Sequence, residues 1–150
     1  MLRQRLTAEM KEAMKAGDKA KLATVRLIQA ALKDKDIEAR GLGKEPLAEE
    51  EILSLLQKMI KQRNESATVY DQGGRPELAE GERAEAAIIA QYLPQQMDED
   101  ETRAAIQAAI AETGAASPKD MGKVIAALKG QYAGRMDFAK ASGLVKGMLA

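Results

Sequence analysis

The chain lacks the side chains on which much protein redox and metal chemistry depends. Its 150 residues include no cysteine, no histidine and no tryptophan. Disulfides, thiolate nucleophiles, imidazole bases and the commonest zinc sites are therefore excluded. Any catalysis would have to use carboxylates, lysines, hydroxyls or tyrosines. We predict no metal ion and no cofactor.

Aromatic residues and long apolar runs are also scarce. The chain has one phenylalanine and three tyrosines, whereas residues that favour helix, such as alanine, leucine, glutamate and lysine, are abundant. We therefore predict an all-α fold with essentially no sheet. No apolar run is long enough for a signal peptide or a membrane span, and the first fifteen residues mix charges every few positions. The expected location is the cytoplasm, with no membrane partner.

Helical periodicity predicts seven helices in two groups. Apolar residues recur at helical spacing in four segments before residue 93, and glycine or proline follows each segment. Short connections between such helices indicate helical hairpins, so residues 1–93 are predicted to form a four-helix N-terminal domain. The sequence YLPQQMDEDE then resembles a joint between domains. Residues 94–150 are predicted to form a small module of three helices.

Capping residues mark where the helices of this module begin. Asp98 with Glu101 has the spacing of a capping box for the fifth helix, and Ser117 with Asp120 repeats that spacing before the sixth. Asp137 is placed to cap the seventh helix.

Residues 117–150 carry a one-sided charge. They hold six basic residues against two acidic ones, whereas the first 116 residues hold seventeen basic and twenty-one acidic residues. The net charge of zero therefore conceals a basic C-terminal segment, which is a candidate polyanion-binding surface. The residues predicted to contact nucleic acid are Lys119, Lys123, Lys129, Gly134, Arg135, Lys140 and Lys146.

Each part of this prediction has a structural alternative. Scattered lysines on amphipathic helices commonly form only a solvated face, and no aromatic residues are expected to interleave with these ones. Gly134 and Arg135 are the sharpest candidates, because a glycine turn between helices can present unpaired backbone N–H groups and an arginine can bind a phosphate with two donors. The alternative is a helix stop in which Arg135 closes on Asp137.

No catalytic constellation is evident. Five charged residues fall on the predicted third and fourth helices: Lys61, Arg63, Glu65, Glu82 and Glu85. Paired carboxylates can transfer protons, but we favour ion pairs between the two helices. Tyr70 and Tyr92 are predicted to pack with their hydroxyls in water. The glycines lack the spacing of a phosphate-binding loop, so no nucleotide site is predicted.

Four segments together resemble the GatB/YqeY family: KQRNES, GGRPELAEGERAEAAIIAQYLP, SPKDMGKVIAALK and AGRMDFAKASGLVKGML. This family comprises stand-alone YqeY-like proteins and the C-terminal tail of the B subunit of the aspartyl/glutamyl-tRNA amidotransferase. The resemblance covers nearly the whole chain, in order. One departure is Phe138, where the family usually has a small residue after the Gly-Arg-x-Asp turn.

The resemblance implies a helical body followed by a small three-helix module, in the setting of tRNA-dependent amide formation. In the amidotransferase this tail helps to hold the tRNA, and the catalytic body is absent from this chain. The expected function is that of a non-catalytic accessory protein that binds tRNA through its basic module. One alternative is an adaptor for an amidotransferase or an aminoacyl-tRNA synthetase, docking through the methionine-rich helix from Met1 to Met14 and through Met59. A less favoured one is carbon–nitrogen ligase activity of its own.

Overall fold

A computed structural model describes all 150 residues, which form seven α-helices and no strand. The all-α prediction is confirmed. The helices are α1 (Leu2–Ala16), α2 (Lys19–Gly41), α3 (Glu49–Gln72), α4 (Pro76–Ala90), α5 (Glu99–Thr113), α6 (Met121–Tyr132) and α7 (Phe138–Leu149), with a 3-10 turn at Pro118–Asp120.

The chain divides into two compact units, Met1–Leu93 with helices α1 to α4 and Pro94–Ala150 with helices α5 to α7. In the N-terminal unit, α1 packs on α2, α3 and α4 form a hairpin, and α2 packs on that hairpin. Large aliphatic side chains dominate its core, which consists of Leu2, Leu6, Val25, Ile28, Leu32, Ile52, Leu56, Met59, Ile89 and Tyr92.

The C-terminal unit has its own core, in which all three of its helices contact one another. Several core positions are alanines, which allow close approach of helix backbones. The buried residues are Ala105, Ile106, Ala109, Val124, Leu128, Met136, Ala141, Val145 and Leu149.

Local signals set the ends of most helices. Gly17 adopts the left-handed conformation, with a φ of 71°, and ends α1. The next helix starts at once, because the Asp18 carboxylate accepts a hydrogen bond from the Lys21 backbone N–H at 3.1 Å. The predicted capping box of α5 is confirmed, since Asp98 accepts from the Glu101 N–H at 2.7 Å and Glu101 accepts from the Asp98 N–H at 3.3 Å.

The second predicted capping box is wrong. Ser117 makes no side-chain capping bond, and a 3-10 turn precedes α6. Asp120 instead accepts a hydrogen bond from the backbone N–H of Ala116 at 3.0 Å, and that bond lowers the pKa of its carboxyl group. With the 3-10 turn in place, the Asp120 carboxylate bonds to the backbone of Ala116, the residue before Ser117.

Helix α3 spans 24 residues, about 36 Å at the usual helical rise. Ala67 on α3 and Ala79 and Ala86 on α4 are buried without belonging to the main core. Arg63 Nε lies 3.0 Å from a Glu85 carboxylate oxygen, and this contact joins the two helices. The ion-pair interpretation of these charged residues is thereby confirmed at Arg63 and Glu85.

An ionic contact also fastens α1 to α2. The Arg3 guanidinium donates two hydrogen bonds to the Asp36 carboxylate, at 2.8 and 2.9 Å, and a third to the Leu47 carbonyl. Asp36 also accepts from the Leu47 N–H at 2.9 Å. The bond from Arg3 is the main reason that the pKa of the Asp36 carboxyl lies below its usual value.

The prediction of a solvated Tyr92 hydroxyl is wrong. Tyr92 is 2 % exposed, and its buried hydroxyl makes no hydrogen bond of normal geometry. The Arg5 guanidinium carbon lies 4.7 Å from the centroid of the Tyr92 ring, and Arg5 also pairs with Glu9 at 2.7 Å. Burial, and next the negative charge of Glu9, raise the pKa of Tyr92 to about 12.

Candidate nucleic-acid interface

All seven residues predicted to contact nucleic acid lie in the C-terminal unit. One lysine is in the 3-10 turn, two are on α6 and two are on α7, while the glycine and the arginine form the connection between those helices. In that order they are Lys119, Lys123, Lys129, Lys140, Lys146, Gly134 and Arg135. The five lysines are all exposed, the arginine is half-buried and the glycine is buried.

Most of the positive charge is not neutralised within the protein. Lys119, Lys140 and Lys146 pair with no carboxylate. Lys123 Nζ lies 3.9 Å from an Asp120 oxygen, at the limit of an ion pair and on the surface. Helix α5 carries three acidic residues in its first turn and packs on α6 and α7, yet none of these acids pairs with a lysine of the two basic helices. The unit therefore keeps cations available to an external anion.

The lysines do not form a single line. Lys123 and Lys129 are six positions apart on α6, and helical geometry separates them by about 120° around the axis. Lys140 and Lys146 have the same spacing on α7. Each basic helix therefore presents charge on two flanks of its exposed side, and an anion would meet only some of the five lysines at once.

The connection between α6 and α7 is held by the segment that precedes α5. Gly134 has a φ of 79° and is buried, and its carbonyl accepts a hydrogen bond from Gln96 Nε2 at 2.6 Å. The Arg135 carbonyl accepts from the Met97 N–H at 2.9 Å, and the Arg135 N–H donates to the Tyr132 carbonyl at 2.9 Å. The expectation of an unpaired N–H at this turn is therefore wrong for Arg135.

The side chain of Arg135 does not close on Asp137, so that part of the structural alternative is wrong, whereas α6 does end just before this turn, at Tyr132. Its Nε donates to the Gln95 carbonyl at 3.0 Å, and its guanidinium carbon lies 5.9 Å from the centroid of the Tyr132 ring. Asp137 instead caps α7 by accepting hydrogen bonds from two backbone N–H groups of that helix. Arg135 therefore forms no ion pair with a carboxylate.

Aromatic residues do accompany the cations, contrary to the expectation from sequence. Lys129 Nζ lies 6.0 Å from the centroid of the Phe138 ring, beside the contact between Arg135 and Tyr132. Tyr132 follows Lys129 by three residues, a spacing that places both side chains on one side of a helix. That spacing is the signal in the sequence that an aromatic residue, Tyr132, lies near Lys129. The approach of Phe138 depends on how α7 folds back, which no local pattern shows.

The alternative docking surface of methionines is not assembled. Met59 is 5 % exposed and belongs to the N-terminal core, and Met10 packs partly buried against the same core. Met1 and Met14 are exposed. The prediction of a shared methionine surface is wrong at Met59, because helical periodicity turns that residue inward.

Two other features concern the whole chain: a metal site and a membrane-spanning helix. No group of three or more acidic residues is arranged to hold a metal ion. None of the helices combines the length and the apolar character needed to cross a membrane.

Comparison with known proteins connects the chain to one family. The family model described as YqeY-like protein matches residues 3–149. Several curated relatives are fungal proteins named altered inheritance of mitochondria protein 41, mitochondrial. The one from Eremothecium gossypii is 32% identical over 88 residues, which make up 59% of this chain and 46% of the relative.

Two further fungal proteins of that name extend the comparison. The protein of Clavispora lusitaniae is 35% identical over 98 residues, covering 63% of this chain and 55% of the relative. The protein of Pyrenophora tritici-repentis is 30% identical over 132 residues, covering 85% of this chain and 71% of the relative. The chain spans about half the length of the first two relatives.

Proposed function

Because the chain belongs to the family of YqeY-like proteins, we propose that it is a non-catalytic accessory protein of tRNA-dependent amidation that binds tRNA through its C-terminal unit. One observation carries the proposal: Lys119, Lys140 and Lys146 are exposed and pair with no carboxylate, in a segment with four more positive than negative charges. The resemblance of this segment to the amidotransferase tail supports tRNA as the polyanion.

The proposed role of these lysines is contact with phosphates. An ammonium group on a flexible stem is a point charge, so it supplies affinity and salt dependence but little reading of base sequence. Folded RNA is recognised largely by its shape and its backbone. Selectivity for tRNA would accordingly come from the arrangement of the basic flanks on α6 and α7.

A filter-binding titration with a transcribed tRNA tests the proposal. We expect retention at about 50 mM salt and a steep loss of affinity by about 200 mM, because each phosphate that a lysine neutralises releases condensed counterions. The double variant Lys140→Gln/Lys146→Gln should bind more weakly. It should also reduce the slope of log affinity against log salt by roughly one for each phosphate that is no longer neutralised.

The matched control is Lys15→Gln/Lys19→Gln in the N-terminal unit. Both of these lysines are also exposed and pair with no carboxylate, and the double variant removes the same net charge. It should leave the affinity and the salt slope nearly unchanged. Equal weakening by both double variants would show that only net charge matters, and absence of retention at about 50 mM salt would reject the proposal.

The same protein samples distinguish the other candidate functions. Capture of an amidotransferase or a synthetase that survives nuclease treatment would favour the adaptor, and transamidation by the pure protein would favour a ligase. The cytoplasm is the compartment that we propose, whereas the word mitochondrial belongs to the names of the fungal relatives.

A further inference from the structure

Cationic and aromatic side chains alternate at the junction of α6 and α7. We call the four residues Lys129, Tyr132, Arg135 and Phe138 the turn patch. The Lys129 ammonium lies 6.0 Å from the Phe138 ring centroid, and the Arg135 guanidinium carbon lies 5.9 Å from that of Tyr132. Lys129 and Tyr132 are one helical turn apart on α6, so the two pairs are neighbours.

The C-terminal core and the backbone of the turn hold the rings of Tyr132 and Phe138 in place. Tyr132 and Phe138 are half-buried and pack against the C-terminal core. The backbone at Gly134 and Arg135 is bonded to the segment of residues 95–97, as described above. A flat ligand that settles on these rings therefore meets a surface that is already ordered, and little conformational entropy is lost on binding.

Neither cation of the turn patch is neutralised by a carboxylate. Both cation-to-ring distances lie near the outer limit of a cation–π contact, about 6 Å. Lys129 and Arg135 pair with no carboxylate. The nearest acid in sequence, Asp137, already accepts two backbone N–H bonds of α7. Lys129 can therefore turn to a phosphate and uncover part of the Phe138 ring, and the terminal nitrogens of Arg135 can bind a phosphate while its Nε stays bonded to the Gln95 carbonyl.

We propose that the turn patch binds an unpaired nucleotide, with its base stacked on Phe138 and the flanking phosphates on Lys129 and Arg135. This inference rests on the proposed binding of tRNA. Every nucleobase has a face that can stack on an aromatic ring, so the contact is tolerant of sequence. A base inside a continuous duplex cannot reach such a ring, whereas a base in a loop can. The RNA preferred by this surface is one with an exposed, unstacked nucleotide.

Two RNA probes with equal numbers of phosphates test the inference: a hairpin with an unpaired loop, and a fully paired duplex. The wild-type chain should bind the hairpin more tightly. Phe138→Leu keeps an apolar side chain on the core but removes the aromatic face. It should weaken hairpin binding roughly 5- to 100-fold and leave duplex binding unchanged. Phe138→Trp should retain the preference for the hairpin.

A fluorescent base analogue, 2-aminopurine, placed in the loop reports stacking directly. Its emission should change on addition of the wild-type chain or of Phe138→Trp, and not on addition of Phe138→Leu. Lys129→Gln provides a second test that leaves the ring untouched. It should weaken hairpin binding and reduce the salt slope. Thermal unfolding of each variant establishes that it is folded.

The outcomes separate this inference from the proposed function. Equal binding of hairpin and duplex, with no effect of Phe138→Leu, would overturn the inference and leave phosphate-based tRNA binding in place. Binding of neither probe and of no tRNA would overturn both. A selective loss of hairpin binding in Phe138→Leu, with the double variant Lys140→Gln/Lys146→Gln weakening both probes, would support both.

Discussion

The two units use their charged residues in different ways. In the N-terminal unit, arginine and lysine side chains join neighbouring helices, as in the pair of Arg3 with Asp36 and the pair of Lys21 with Glu9. In the C-terminal unit no ion pair joins two helices, because its two ion pairs lie within α5 and at the start of α6. Cationic side chains of the N-terminal unit thus stabilise contacts between helices, whereas those of the C-terminal unit are left available for a ligand.

The two cores also differ in the size of their side chains. Large aliphatic side chains fill the N-terminal core, whereas three of the nine buried residues of the C-terminal core are alanines. The C-terminal unit also has backbone and side-chain hydrogen bonds between residues 95–97 and the turn at Gly134 and Arg135. The comparison indicates that its exposed lysines can be replaced at little cost in stability, whereas charged residues between the N-terminal helices cannot.

Truncation of a core residue in each unit should have the largest effect. Leu56 and Leu128 are both completely buried, and Leu→Ala in such positions costs about 2–5 kcal/mol. We expect Leu56→Ala to reduce hydrogen-exchange protection in residues 1–93 and Leu128→Ala to reduce it in residues 94–150. Loss of protection in both regions from either change would show that the two units unfold together.

Breaking the contact between α1 and α2 should have the next largest effect. Asp36→Ala removes both bonds from Arg3 and the bond from the Leu47 N–H, and leaves the arginine without its carboxylate. We expect a loss of about 1–3 kcal/mol in a denaturant titration. The control is Glu99→Ala, which breaks an exposed pair within α5 and should cost less than about 0.5 kcal/mol. Equal costs would contradict the contrast between the units.

Acidification should act on the same contact. Hydrogen bonds from Arg3 lower the pKa of the Asp36 carboxyl. Burial opposes a lowered pKa at Glu9, but hydrogen bonds from Arg5 and Lys21 outweigh it. Carboxyls with depressed folded-state pKa values add stability above their unfolded pKa values, about 4, and lose it as the pH falls through the folded values.

The N-terminal unit should therefore lose stability below about pH 4, by less than Asp36→Ala costs, because a protonated carboxyl still accepts hydrogen bonds. Denaturant midpoints measured across the acid range test this, with exchange protection assigning the loss to a unit. Asp36→Asn should flatten the dependence. An unchanged slope in that variant would mean that other carboxyls carry the effect.

The smallest effect is expected at the Tyr92 hydroxyl. Tyr92→Phe removes a buried polar group that has no hydrogen-bond partner and keeps the ring beneath Arg5. We expect stability to remain unchanged or to rise by up to about 1 kcal/mol, because the unsatisfied group costs free energy on burial. A loss greater than about 1 kcal/mol in thermal or denaturant unfolding would reveal a stabilising bond of the hydroxyl, to Glu9 or to water.

Much of the fold was predictable because its causes are local. The periodicity of apolar residues predicts all seven helices, and Gly17, Asp18 and the pair of Asp98 with Glu101 end or begin helices as their chemistry requires. The same reasoning failed at Ser117, where a 3-10 turn replaced the expected capping box. Capping signals in a sequence predict where a helix begins more reliably than they predict which hydrogen bonds form there.

The sequence by itself determined the helices, the absence of cysteine and histidine chemistry, and the excess of positive charge after residue 116, because each depends on residue type or on neighbours a few positions apart. Only the tertiary structure decided which cations remain free. The burial of Tyr92, the bond from Arg135 to Gln95 and the approach of Lys129 to Phe138 all depend on packing between separate segments. That packing follows from the whole apolar surface that each helix buries, which no local pattern specifies.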